Sequence, residues 1–173
     1  MHLKTEQLTH DNTPRQKATL PVVLLCDGLS SPANTGSLFR LADALGIEHL
    51  YFLNGAPDLN SNRLKRTSRT CEKRISFSSV ENPAELILQL KKDNYSILGL
   101  ELTTSSIPLK DLNIKSKKIA LMIGNERNGI STALLQLADQ LVHIPMRGQN
   151  SSMNVSHAAA IAAYQLINHL NHG

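Results

Sequence analysis

The chain alternates short, uninterrupted apolar runs with longer stretches in which apolar positions return at helical spacing. Leu20 to Cys26, rich in Val and Leu, reads as a strand buried on both faces, the pattern of a parallel sheet. Leu38, Leu41, Ala42 and Leu45 then repeat on one helical face, and Gly46 suits the helix stop. His49 to Leu53 is a second strand. Asn60 to Cys71 reads as a basic helix, with a short strand following near Ile75 to Phe77. Pro83 marks the start of a helix striped by Leu86, Ile87 and Leu90. Ser96 to Leu102 and Lys118 to Gly124 are further strands, and Ser131 to Leu137 is a short helix with a polar cap. Leu141 to Ile144 is the last strand, and Ser152 to about Leu170 the last helix. Strands alternating with helices predict an α/β fold, a parallel sheet sandwiched between helical layers. All of these elements fall in one domain, 20–171. Residues 1–19 are polar and read as a flexible N-terminal arm.

Composition narrows the classes. A chain of 173 residues is long enough to bury a sizeable core. No apolar run approaches the roughly 18–20 residues of a membrane span, and residues 1–17 lack the apolar stretch of a secretory signal. No membrane partner is therefore expected. Cys26 and Cys71 show neither metal-ligand spacing nor a disulfide framework. Cys26, inside an apolar strand, reads as a small core residue, and a reduced, cytoplasmic setting is expected. The net charge is +4, from 18 Lys+Arg against 14 Asp+Glu. The excess is concentrated: Arg63, Lys65, Arg66, Arg69, Lys73 and Arg74 lie within a dozen residues. A solvated helix face would account for them. So would a surface that holds nucleic-acid phosphates. Aromatic residues are only 3% and Trp is absent, which argues against bases stacked on aromatic platforms.

Candidate chemistry sits in three polar loops, each placed at a strand end: Asn34 to Arg40, Ile123 to Gly129, and Ile144 to Ser156. In a parallel α/β sheet ligands lie beyond the carboxyl ends of the strands, so the three loops predict one composite site. The last loop runs directly into an Ala-rich helix, whose first backbone N–H groups are expected to point outward for a ligand. Asn34 also reads as a helix N-cap and Glu126 as a surface carboxylate. Other site types lack their signatures. There is no G-x-G-x-x-G after the first strand, no phosphate-binding G-x-x-x-x-G-K-[ST], no G-x-S-x-G, and no metal-binding spacing among the seven histidines.

Order and spacing of these loops resemble the SpoU/TrmH class of the SPOUT superfamily. An N-x-G-x-x-x-R motif is matched by Asn34, Gly36 and Arg40, with Ala42 and Gly46 following. A G-x-E-x-x-G motif is matched by Gly124, Glu126 and Gly129. A third, I-P-M-x-G-x-x-x-S-L-N-V-S, is matched by Ile144, Pro145, Met146, Gly148, Ser152, Asn154, Val155 and Ser156, with Met153 in place of Leu.

The resemblance implies a deep C-terminal trefoil knot and an S-adenosylmethionine-dependent RNA ribose 2′-O-methyltransferase working as a homodimer. It implies cofactor contacts, several of them main-chain, at Leu102, Gly124, Ile144, Ser152 and Met153. Gly124 is expected to let backbone approach the ligand closely. Catalytic roles fall on Arg40, Asn34, Glu126 and Asn154. A guanidinium holds its proton at neutral pH and is a poor base, so Arg40 is expected to stabilise charge on the 2′-oxygen and grip a neighbouring phosphate, with Asn34 and Glu126 orienting it. The basic segment Arg63 to Arg74 would supply RNA-backbone contacts. With only some 19 residues before the first strand, tRNA is the expected substrate and rRNA the alternative. A non-catalytic RNA-binding module and a flavodoxin-like small-molecule enzyme are the readings from other classes.

Overall fold

The structure, a computed structural model, describes residues 7–8, 12–13 and 19–172. Most of the arm expected over 1–19 thus lies outside the described residues. The elements run β1 (Leu20–Asp27), α1 (Pro32–Leu45), β2 (Ile47–Leu53), α2 (Asn62–Ser68), β3 (Phe77–Val80), α3 (Pro83–Lys92), β4 (Tyr95–Leu100), β5 (Ile107–Pro108), β6 (Lys118–Ile123), α4 (Thr132–Leu135), β7 (Gln140–His143) and α5 (Val155–His172). Single 3₁₀ turns occupy Cys71–Lys73 and Leu109–Asp111.

Seven strands make one sheet in the order β3-β2-β1-β6-β4-β7-β5, and every pairing is parallel. β1 and β6 lie at its centre, which is why their sequences are apolar on both faces. Val22, Leu24 and Cys26 point to one side, where Leu38, Phe39 and Ala42 of α1 and Ala159, Ala162, Ala163 and Leu166 of α5 cover them. Val23, Leu25, Ala120 and Met122 point to the other, under Ile87 and Leu90 of α3 and Leu134 of α4. The chain has three phenylalanines, and all three meet. Phe39 lies 5.8 Å from Phe52 and 5.2 Å, edge to face, from Phe77, which pins α1 over β2 and β3. Cys26 is buried as the pattern predicts, and burial pushes its thiol pKa well up, so it is inert filling. No helix among the described residues is long and apolar enough to cross a membrane.

Several boundaries differ from the pattern. The basic helix expected over Asn60–Cys71 is only α2. Ser61 caps its start by accepting from the Leu64 N–H (3.4 Å), and Arg69 (φ 49°) and Thr70 (φ 70°) turn left-handed and end it. The strand expected near Ile75 begins two residues later, because the Ile75 N–H is held in the 3₁₀ turn by the Cys71 carbonyl (3.0 Å). β4 stops at Leu100 rather than Leu102, since the Leu102 N–H donates to the Glu101 side chain (3.1 Å). β5 has no counterpart in the pattern, since two residues carry no periodicity. The last helix begins at Val155, not Ser152.

Candidate active site

The first and second polar loops meet on one carboxylate. α1 starts with Ser31 as its N-cap and Pro32 in its first turn, so the capping residue is Ser31 and not Asn34. Asn34, further into the helix, turns its amide to Glu126: Nδ2 donates to Oε1 at 2.9 Å. The same oxygen accepts the Ser31 N–H (3.1 Å), and Oε2 accepts both the Ser30 N–H (3.2 Å) and the Ser30 hydroxyl (2.9 Å). Asn125 anchors the loop that carries Glu126. Its Nδ2 donates to the Gly28 carbonyl (2.6 Å), and its Oδ1 accepts the N–H groups of Arg127 and Asn128.

The third loop joins through Asn154, whose Nδ2 donates to Asn34 Oδ1 at 2.9 Å. Its own Oδ1 accepts the Ser156 N–H (2.9 Å), the Ser156 hydroxyl (2.6 Å) and the His157 N–H (3.4 Å). Asn154 therefore caps α5. This corrects the expectation of outward-pointing helix N–H groups: the cap already satisfies those of Ser156 and His157. A relay of amides and carboxylate, Asn154 to Asn34 to Glu126, thus ties three distant segments into one site.

Burial works to raise the Glu126 pKa, but donors from Asn34, its own backbone and Ser30 outweigh it and hold the carboxyl at about 2, against an ordinary 4.5. Near neutral pH it is an acceptor only, and that fixes which way the Asn34 amide faces. Asn34 must present Nδ2 to Glu126 and Oδ1 to Asn154.

Beside this relay, beyond the ends of β4, β6 and β7, lies a cleft of about 850 Å³. Leu102, Gly124, Ile144, Ser152 and Met153 all line it, as do Glu126 and Asn154. Gly124 lines the cleft, and a Cβ there would overlap the backbone of Gly129 and Ile130, so the loop folds back on it. Gly36 is similar. A Cβ would overlap Thr67 Oγ1 and lie 2.5 Å from the Leu64 carbonyl, so this motif glycine lets α1 and α2 pack closely. Gly148 differs, because a Cβ there would meet nothing within 4 Å.

Arg40 is not brought to the site. It is exposed on α1 and does not line the cleft, and no bond links it to Asn34 or Glu126. Geometry explains this. Six residues separate it from Asn34, which on a helix means about 9 Å along the axis and roughly 240° around it. The two residues face different directions. The orienting role expected of Asn34 and Glu126 toward Arg40 is therefore not met within one chain; they orient Asn154 and the α1 start instead. Arg63, Lys65, Arg66, Arg69, Lys73 and Arg74 are all exposed on or after α2, away from the cleft lining. Arg74 is already engaged, donating to Asp43 (3.3 Å) and to Cys71 Sγ (3.4 Å).

Residues outside the motifs hold the loops. Buried Asp27, at the end of β1, accepts the Asn54 amide and the Ser131 N–H, both at 2.7 Å. Glu101 accepts the Ile130 N–H at 3.0 Å. Apolar patterning does not single out either one, yet each is a charged residue directly after an apolar strand run, a signal present in the sequence. Ser30-Ser31 before Pro32 likewise carries a cap signature.

The sequence profile described as the SpoU rRNA Methylase family matches residues 21–164. The chain belongs to this family. Among relatives in the SpoU family, it is 32% identical over 154 residues to the 23S rRNA (guanosine(2553)-2′-O)-methyltransferase RlmP of Bacillus subtilis, covering 88% of this chain and 61% of that protein. To the tRNA (guanosine(18)-2′-O)-methyltransferase of Aquifex aeolicus it is 26% identical, over 87% of this chain and 70% of the other. Its fold superposes on the crystal structure of the A. aeolicus TrmH/SpoU tRNA modifying enzyme with a TM-score of 0.78, at 25% identity, over 88% of this chain and 76% of that one. The SpoU methyltransferase AviRb from Streptomyces viridochromogenes, solved with the cofactor AdoMet, gives 0.78 at 28% identity, over 95% of this chain and 63% of that one. The chain thus spans about three-fifths of the Bacillus and Streptomyces proteins.

Proposed function

We propose that this SpoU-family chain transfers a methyl group from S-adenosylmethionine to a ribose 2′-hydroxyl of RNA. The observation that carries the proposal is the relay Asn154–Asn34–Glu126, which joins all three motif loops beside a cleft fit for the cofactor. At about 850 Å³ the cleft lies in the range of small-molecule sites. Leu102, Ile144 and Met153 give it apolar walls, while Gly124 and Ser152 add backbone and hydroxyl groups.

Bound there, the cofactor supplies an electrophilic sulfonium methyl. Transfer would break the C–S bond as the C–O bond forms, with the electron pair staying on sulfur and the hydroxyl proton passing to an RNA phosphate or solvent. The protein's part is to align the hydroxyl and offset the charge that grows on its oxygen. Arg40 suits the second task, but from a second copy of the chain. Its angular offset from Asn34 turns it from its own cleft, and the outer face of α5 carries Ile161 and Tyr164, 45% and 61% exposed, as apolar surface for a homodimer. β7 lies between β4 and β5, both made earlier in the chain. That interleaving supports a knotted C-terminal segment.

Exposed basic residues on α2 would hold the RNA backbone. tRNA is one reading, after the substrate named for the Aquifex relative. 23S rRNA is the second reading, favoured by the similarity to the Bacillus enzyme. The test compares wild type with Arg40→Ala for labelled-methyl transfer to RNA and for cofactor affinity. Arg40→Ala should lose roughly a hundredfold or more in transfer with affinity unchanged. Near-normal turnover would end the assignment.

A further inference from the structure

Among the described residues two carboxylates line the cleft, Glu101 and Glu126. They differ in how much of their accepting capacity the protein uses. A carboxylate offers about four lone-pair sites. Glu126 fills all of them, two donors on each oxygen. Glu101, immediately after β4, accepts one backbone N–H on each: Leu102 at 3.1 Å on Oε1 and Ile130 at 3.0 Å on Oε2. No protein group among the described residues uses the other two.

The carboxylate is also held rigidly. It lies against Gly129, where a Cβ would overlap it and where φ is +67°. Gly129 in turn packs on Gly124. Glu101 therefore stands at the junction of two cofactor-lining segments, with its orientation fixed by both.

We propose that Glu101 accepts the vicinal hydroxyls of the cofactor's ribose, one on each oxygen. The inference rests on S-adenosylmethionine being the ligand, as argued above. Two adjacent hydroxyls match the paired oxygens of a carboxylate, whereas the cofactor's ammonium is a single charged point. An acidic side chain near a strand end receiving ribose hydroxyls is the arrangement that α/β dinucleotide sites also use.

Calorimetric titration of the full chain with S-adenosylhomocysteine, its 2′-deoxy and 3′-deoxy forms, and 5′-methylthioadenosine tests this. Removing either hydroxyl should weaken wild-type binding roughly ten- to a hundredfold, the worth of a hydrogen bond to a charged group. In Glu101→Ala, S-adenosylhomocysteine should weaken to a similar degree and the deoxy penalties should vanish. 5′-Methylthioadenosine, which has no amino-acid tail, should lose as much on the substitution as S-adenosylhomocysteine does. Wild-type protein that binds the deoxy forms as tightly as the parent overturns the inference, and this comparison needs no variant to fold. So do deoxy penalties that persist in Glu101→Ala, or a loss confined to ligands bearing the ammonium. Those results leave the functional reading standing. No S-adenosylhomocysteine binding by wild type would overturn both.

Discussion

Glu126 is the residue on which the site's internal order depends. Its low pKa states that the ionised form is what Ser30, Ser31 and Asn34 bind. A carboxyl depressed in the folded state contributes stability that is complete above its unfolded value, near 4.5, and is lost as pH falls toward about 2. Glu126→Gln should therefore lower the urea midpoint at pH 6, and the difference from wild type should close between about pH 4.5 and 2. A difference independent of pH would show that the carboxylate's charge is not what these donors bind. At this scale the sequence is legible in part. Motif spacing singles out Asn34, Glu126 and Asn154 but not how they are shared. Asn154 uses one amide atom to cap α5 and the other on Asn34, a division that follows from three-dimensional approach and leaves no trace in spacing.

At the scale of elements, strands and helices follow from buried apolar runs, and the failures lie where burial gives no signal. β5 is two residues long. α2 is stopped by Arg69 and Thr70, neither of which is a residue that ordinarily takes a left-handed turn. Gly36 is the informative case, because its place in a motif suggests ligand binding, whereas its neighbours are Thr67 and the Leu64 carbonyl. Gly36→Ala should force α1 and α2 apart and cost about 1–3 kcal/mol in chemical denaturation. Cofactor affinity should change far less, since Gly36 is not part of the cleft lining. The basic surface of α2 makes a separate prediction. Substituting Lys65 and Arg66 together by Ala should weaken RNA binding and reduce the salt slope of log K by about one for each phosphate no longer neutralised. Arg74→Ala, whose guanidinium is engaged by Asp43, should leave that slope nearly unchanged. A slope indifferent to Lys65 and Arg66 would return α2 to a merely solvated face.

For the whole molecule, the fold class follows from the alternation of strands and helices, but strand order does not. Nothing in local pattern says that β7 passes between β4 and β5, or that α5 crosses back to donate from Gln165 to the Leu109 carbonyl at 3.0 Å. Those are long-range facts of packing. The proposed second copy of the chain belongs to this scale too, because Arg40 is exposed and lies outside the cleft lining of its own chain. Tyr164→Asp places a charge on the exposed apolar face of α5. It should shift sedimentation toward the monomer and abolish methyl transfer while cofactor binding persists. A fully active monomer would contradict the shared site. Methyl transfer to a ribose is read out by incubating wild-type protein with isotopically labelled S-adenosylmethionine and RNA from a strain lacking the gene, then digesting the RNA to nucleosides for mass spectrometry. The label should appear in a single 2′-O-methylated nucleoside. Label on a base, or none in any RNA, would contradict the account.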